Sequence, residues 1–239
     1  MNFVLFFVIV LLGAVVQSVT GFGFGIFVVS LLPLLMPLQQ TVAILALLTI
    51  FMNFQLAWKL RRCVEWKTML PVLLSSILLQ TLCVRLLFTV DAAILRRVLG
   101  MVLLGFAVFF AFIKQRIALR KTLPNAIAAG SLTGVFNTFS IGGPPTVLYY
   151  YFVCRDNDAY LATTQMTFFI ASICNSIVHA SYGNLNRTVF LYAALGIAAV
   201  LPGVWLGYRI FRKLNKNILG ISICVLIGAM GLLQILTAE

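Results

Sequence analysis

Apolar residues run along the chain in eight stretches, at 3–36, 40–58, 67–88, 92–113, 124–153, 160–181, 188–211 and 217–237, divided by short polar clusters. A helix crossing the hydrocarbon of a bilayer needs roughly 20 such residues, so the pattern predicts membrane-spanning helices throughout. Two stretches are too long. A continuous helix over 3–36 would reach about 51 Å at 1.5 Å per residue, against a hydrocarbon core of about 30 Å. The overlong stretches, 3–36 and 124–153, are the two that contain a glycine-rich interruption.

The first interruption reads Gln17-Ser18-Val19-Thr20-Gly21-Phe22-Gly23-Phe24-Gly25, and the second Asn137-Thr138-Phe139-Ser140-Ile141-Gly142-Gly143-Pro144-Pro145. Both run amide, hydroxyl, apolar residue, hydroxyl, then glycines. Each long stretch is therefore expected to be two shorter helices joined by non-helical backbone, over 20–25 and 140–145. Such backbone persists at membrane depth only where it is buried in protein or lines a wet cavity. A duplicated break at matching places in two halves points to a transporter's substrate site.

Whether the chain turns back at each break is a question of parity, which the charges address. If each long stretch crosses once, the 17 lysines and arginines divide almost evenly between the two sides. If each folds back as a hairpin, only Arg85, Arg96, Arg97 and Arg187 remain on the poor side and the other 13 gather on the opposite one. Membrane proteins carry excess Lys and Arg on the cytoplasmic side, which favours hairpins, a cytoplasmic basic face and both termini outside. Trp58, Trp66 and Trp205 then fall near the cytoplasmic interface, where indoles concentrate. Each half holds one hairpin plus three spans, an odd number of crossings, so the second half is expected to invert the first. Asn53 with Asn175, Arg85 with Arg209 and Gly100 with Gly220 are further matches. The expected fold is an all-α polytopic membrane protein of two inverted repeats. Residues 1–121 (hairpin 3–36; spans 40–58, 67–88, 92–113) form one, and 122–239 (hairpin 124–153; spans 160–181, 188–211, 217–237) the other.

Composition agrees. Of the 239 residues, 62% are hydrophobic and only 9% charged, where a soluble domain carries about 25% charged. The N-terminus lacks a positive leader region and its apolar run continues past any cleavage site, so it reads as a mature membrane segment. The net charge of +12 lies in clusters between spans, as topology requires, and does not imply nucleic acid. The five cysteines show no metal or redox spacing, and no nucleophile–base or ligand constellation is visible. No catalytic residue, metal or cofactor is expected, and the chain does not read as an enzyme.

The candidate site follows from the breaks. A half-helix beginning at mid-membrane offers unpaired N–H groups and a partial positive charge, and glycine lets a ligand approach the backbone. Two such ends would hold a small anion without Lys or Arg. Gln17, Thr20, Gly21, Gly23 and Gly25 form the first half-site. Asn137, Thr138, Ser140, Gly142, Gly143 and Pro144 form the second, with Pro144 and Pro145 suited to a first helical turn. A polar stripe of Gln165, Ser172, Ser176 and His179, bordered by Asn175, marks one face of 160–181, and Asn53 with Thr49 is a thinner counterpart on 40–58. Interhelical hydrogen bonding alone is the competing reading of these polar residues. His179 is read either as a solvated interfacial residue or as a proton-sensitive gate. Gly203-x-x-x-Gly207 reads as an internal packing seam more readily than as a dimer motif, leaving monomer and homodimer open. The five acids, Glu65, Asp91, Asp156, Asp158 and Glu239, avoid the middle of every span, which argues against carboxylate proton relays.

At 20–25 (Thr-Gly-Phe-Gly-Phe-Gly) and 140–145 (Ser-Ile-Gly-Gly-Pro-Pro) the sequence resembles the TauE/SafE sulfite-exporter family over essentially its full length. The Gly-Gly-Pro-Pro followed by 146–151 is the more specific match. Phe24 between Gly23 and Gly25 departs from the commoner Gly-x-Gly-Gly-Gly form. The resemblance implies a secondary transporter of sulfur-containing anions, sulfite or organosulfonates, in a bacterial inner membrane, with membrane lipid as its surroundings. An anion channel built on the same half-helices, or an importer of oxyanions such as thiosulfate, are the alternatives.

Overall fold

The computed structural model of the chain describes residues 3–83, 119–138, 143–181, 183 and 185–214, with isolated helical positions between 94 and 108 and between 218 and 236. The spans expected at 92–113 and 217–237 therefore lie largely outside the described residues. Within them the protein is entirely helical. The elements are α1 (Phe3–Thr20), α2 (Phe24–Leu31), α3 (Leu38–Lys59), α4 (Trp66–Cys83), α5 (Leu123–Asn137), α6 (Pro144–Val153), α7 (Asn157–Ser181) and α8 (Arg187–Phe211). Short 3₁₀ turns follow α2 and α3. Five of these helices, all but α2, α5 and α6, are long and apolar enough to cross a membrane. The chain is a polytopic membrane protein.

Local chemistry sets the ends. Asn186 caps α8, its Oδ1 accepting from the Val189 N–H at 2.9 Å. Asp156 starts α7 in the same way, accepting from the Ala159 N–H at 2.7 Å. Prolines open α5 and α6, where a missing N–H costs nothing.

Polarity runs outside-in. On α4, Leu70, Leu74, Leu78 and Leu82 recur every fourth residue and face outward, the last three each about 64–65% exposed, while Thr68, Ser76 and Gln80 are buried. Without water outside, polar side chains must find partners inside the bundle. The exposed indoles of Trp58 and Trp205 meet the cations of Arg61 and Arg209, at 4.6 and 3.7 Å from ring centroid.

Both long stretches turn back on themselves. α2 lies along α1, where a Cβ on Gly13 would meet Phe24 and Val28, both at 3.0 Å. α6 lies along α5 through a Thr133–Thr146 hydroxyl contact of 2.7 Å. α3 and α7 run antiparallel at the centre: Ser176 donates to the Ala46 carbonyl at 3.0 Å, and the Phe54 and Phe169 rings lie 5.4 Å apart. The other main pairs are α1 with α8, α4 with α5, α3 with α8, α4 with α7, α2 with α3 and α6 with α7. Exchanging α1–α4 with α5–α8 leaves this set of main pairs unchanged.

Two glycine seams let helices touch at backbone distance. On α8, a Cβ at Gly203 would stand 2.7 Å from the Ala14 Cβ, and one at Gly207 2.6 Å from the Ser18 Cβ. On α5, a Cβ at Gly130 would stand 2.3 Å from the Val72 carbonyl oxygen, and one at Gly134 2.5 Å from that of Ser76. Gly203-x-x-x-Gly207 is thus an internal seam, packed on α1. At the basic end Glu65 joins three stretches of chain. Its carboxylate accepts from Lys121 Nζ at 2.7 Å, the Thr68 hydroxyl at 2.9 Å and the Arg155 N–H at 3.1 Å.

Candidate anion site at the first helix break

The first break is only three residues long, Gly21 to Gly23, so Thr20 and Gly25 belong to the flanking helical turns. Gly21 and Gly23 have φ of 87° and 103°. A side chain in that left-handed region costs roughly 1–2 kcal/mol, and glycine removes this cost where the chain reverses.

Every carbonyl in the turn is occupied. The Tyr160 hydroxyl donates to the Thr20 carbonyl at 2.6 Å, and Gln165 Nε2 to the Gly21 carbonyl at 2.8 Å. The Thr20 hydroxyl shares its proton between the carbonyls of Phe22, at 2.6 Å, and Val16, at 2.9 Å. Thr20, expected as a ligand donor, thus holds the turn instead. The donors are treated differently. The Gly21 N–H is bound to the Gln17 carbonyl and the Phe24 N–H to Gln17 Oε1, at 2.7 and 3.2 Å. The N–H groups of Phe22, Gly23, Gly25 and Ile26 have no acceptor among the described residues. All four residues are buried.

Three carboxamides gather behind the turn. Gln17 Nε2 donates to Asn53 Oδ1 and also lies 3.4 Å from Gln165 Oε1. The three residues are 4%, 2% and 0% exposed. The sequence-predicted residues Gln17, Gly21, Gly23, Asn53 and Gln165 are therefore brought together, with Gly25 one turn away. The result is a buried stretch of backbone whose acceptors are satisfied and four of whose donors are open among the described residues. It is suited to an anion.

The second break differs. Ser140 and Gly142 lie outside the described residues. Pro144 and Pro145 carry no N–H, and the next one, on Thr146, donates to the Thr133 hydroxyl at 3.1 Å. A Cβ at Gly143 would fall 2.1–2.4 Å from Thr133 side-chain atoms, so Gly143 lets the backbone pack closely against Thr133. Thr138 donates to the Gly134 carbonyl at 3.2 Å. Asn137 is 6% exposed, and its Nδ2 has no acceptor among the described residues. Among the described residues, the open backbone N–H groups lie at the first break and an open side-chain donor, Asn137 Nδ2, at the second.

Farther along α7 the stripe is interhelical and local. Ser172 donates to the Phe169 carbonyl of its own helix at 2.8 Å, and Ser176 to Ala46 on α3. Asn175 is buried ten residues beyond Gln165, about 15 Å along the axis, and does not join the carboxamide cluster. His179 is fully buried, which removes its reading as a solvated interfacial residue. Tyr160 and Thr133 escape the sequence reading. Tyr160 looks like an interfacial aromatic, and Thr133 looks like a hydroxyl satisfied within its own helix.

The family profile for the sulfite exporters TauE/SafE matches residues 5–233. The chain belongs to the TauE/SafE family. It is a membrane transporter and not an enzyme. One relative, from Cupriavidus necator, bears the name probable sulfite/organosulfonate exporter TauE. It is 24% identical over 236 residues, covering 95% of this chain and 92% of its own. No solved structure matches.

Proposed function

We propose that this TauE/SafE protein is a secondary carrier that exports sulfite or organosulfonates across a bacterial inner membrane. Two inverted halves, 1–121 and 122–239, build it, with the basic face in the cytoplasm and both termini outside. The observation that carries the reading is the first break: buried N–H groups of Phe22, Gly23, Gly25 and Ile26 without acceptors among the described residues, beside carbonyls that are all taken. Buried, preorganised backbone donors bind an anion strongly because they need no reorganisation, and they suit an oxyanion with several acceptor oxygens. The name of the Cupriavidus relative supplies the sulfur class. The unchanged pairing on exchange of α1–α4 with α5–α8 supports the two-fold build, and the antiparallel α3 and α7 fit opposite orientations of the halves.

Direction follows from charge. With the cell interior negative, outward movement of one negative charge gains about 2.3 kcal/mol per 100 mV, so export needs no coupling ion. The test is sulfite and methanesulfonate efflux from proteoliposomes holding the purified chain. Saturable, trans-stimulated flux is expected, and an ohmic current would replace the carrier by a channel. In Gly23→Ala, strain of about 1–2 kcal/mol in the left-handed turn should lower flux about five- to thirtyfold. Undiminished flux would move the site away from this break.

A further inference from the structure

We infer that the Gln17 carboxamide is a resident stand-in for the anion, occupying one donor of the site until substrate displaces it. The inference rests on the anion-site reading of the first break and adds how that site is held when empty. Gln17 Oε1 accepts from the Phe24 N–H at 3.2 Å, the one N–H of the α2 N-terminus that has a partner outside the backbone. A neutral carbonyl oxygen there is a weak version of a sulfite or sulfonate oxygen. The bond is longer than usual for N–H to O, whose mode is about 2.9–3.0 Å.

The other end of the same carboxamide reaches two further helices. Gln17 Nε2 donates to Asn53 on α3 and approaches Gln165 on α7, which in turn holds the Gly21 carbonyl at 2.8 Å. When an anion takes the Phe24 N–H, the oxygen of Gln17 loses its donor and its amide must turn. That movement passes directly to the two helices packed at the centre of the bundle, and through Gln165 back to the break.

The second half gives an independent sign of a ligand. Asn137 stands at the same place before its break as Gln17 does before the first. Its buried Nδ2 has no acceptor among the described residues, and a buried donor left open is what an incoming anion satisfies. Among the described residues the two proposed half-sites thus differ: Gln17 fills a donor at the first, and Asn137 holds an open donor at the second. The cap on α6 cannot play the same part, because Thr133 is held by both the N–H and the hydroxyl of Thr146 and pressed by Gly143.

Gln17→Asn shortens the side chain by one methylene, withdrawing the oxygen from Phe24 while keeping an amide for its neighbours. Calorimetric binding of sulfite and of methanesulfonate to the purified chain should tighten about two- to tenfold, the weight of one neutral hydrogen bond no longer competing. Gln17→Glu places a carboxylate in the site and should abolish binding of both probes. Asn137→Ala should weaken binding by a factor similar to the Gln17→Asn gain. If Gln17→Asn does not fold, Gln17→Met, which keeps the bulk and removes the oxygen, carries the same expectation. Weaker binding in Gln17→Asn with binding lost in Gln17→Glu would make Gln17 an ordinary ligand and overturn the stand-in role while leaving the site in place. Unchanged binding in both Gln17 variants would overturn the stand-in role and the anion site together.

Discussion

At the residue scale, Glu65 shows how one side chain holds both ends of a helical hairpin. Lys121 and Arg155 flank the α5–α6 hairpin, and Glu65 binds one at its entrance and the other at its exit. Burial pushes the Glu65 carboxyl up, but donation from Lys121, the Arg155 N–H and Thr68 outweighs this and holds it below its ordinary value of 4.5. A lowered carboxyl contributes stability that is present above the ordinary value and lost as pH falls through the folded one. Glu65→Gln should therefore lower the thermal midpoint at pH 7, by an amount equal to about 1–2 kcal/mol for charge-assisted bonds on a partly exposed pair. The gap between variant and parent should close below pH 4.5. A gap of equal size at low pH would show that the carboxylate charge is not what matters. Legibility varied at this scale. Gly21 and Gly23 could be read from the sequence because only glycine suits a left-handed turn. The meeting of Gln17, Asn53 and Gln165 could not, since amides 36 and 148 positions apart are joined only by tertiary packing.

At the scale of elements, the described residues are helical where the apolar stretches predict helices, and each overlong stretch is divided into two helices, α1 with α2 and α5 with α6. What the pattern could not show was how the described donors beside the second break are spent. Gly-Gly-Pro-Pro reads as a donor-rich turn, but its prolines have no N–H and Thr133 takes the next one. The glycine seams carry a sharper expectation. Gly203→Leu would drive a side chain into Ala14 and the Leu11 carbonyl, 2.7 and 2.8 Å from the first added carbon. Overpacking of this kind costs about 1–3 kcal/mol, seen as a lower unfolding midpoint in detergent. Gly105→Leu, with nothing among the described residues within 4 Å of its Cβ, should leave the midpoint unchanged. Equal effects of the two would mean that α1 and α8 do not rely on close approach.

At the scale of the whole molecule, the proposed orientation in the membrane rests on the 13 lysines and arginines that hairpins at both long stretches would bring to one side. A single cysteine replacing the exposed Arg62, in a chain without its native cysteines, should react with a membrane-impermeant maleimide only after the cells are opened. Ready reaction in intact cells would reverse the topology and, with it, the voltage argument for export.

The two seams also have a consequence for how the halves tell each other apart. In the seam of α1 with α8 the glycines lie on α8; in the seam of α4 with α5 they lie on α5. Both pairs of glycines therefore belong to the second half, and both smooth-sided partners to the first. Aligned break to break, Ala14 occupies the place of Gly134, so a first half paired with its own copy would press the Ala14 methyl into a carbonyl that Gly134 clears. A second half paired with its own copy would set glycine against glycine and leave a void. Gene duplication usually leaves two parts that can still recognise themselves. Here self-pairing would meet overpacking in one case and a void in the other, so the proposed halves fit each other better than they fit themselves.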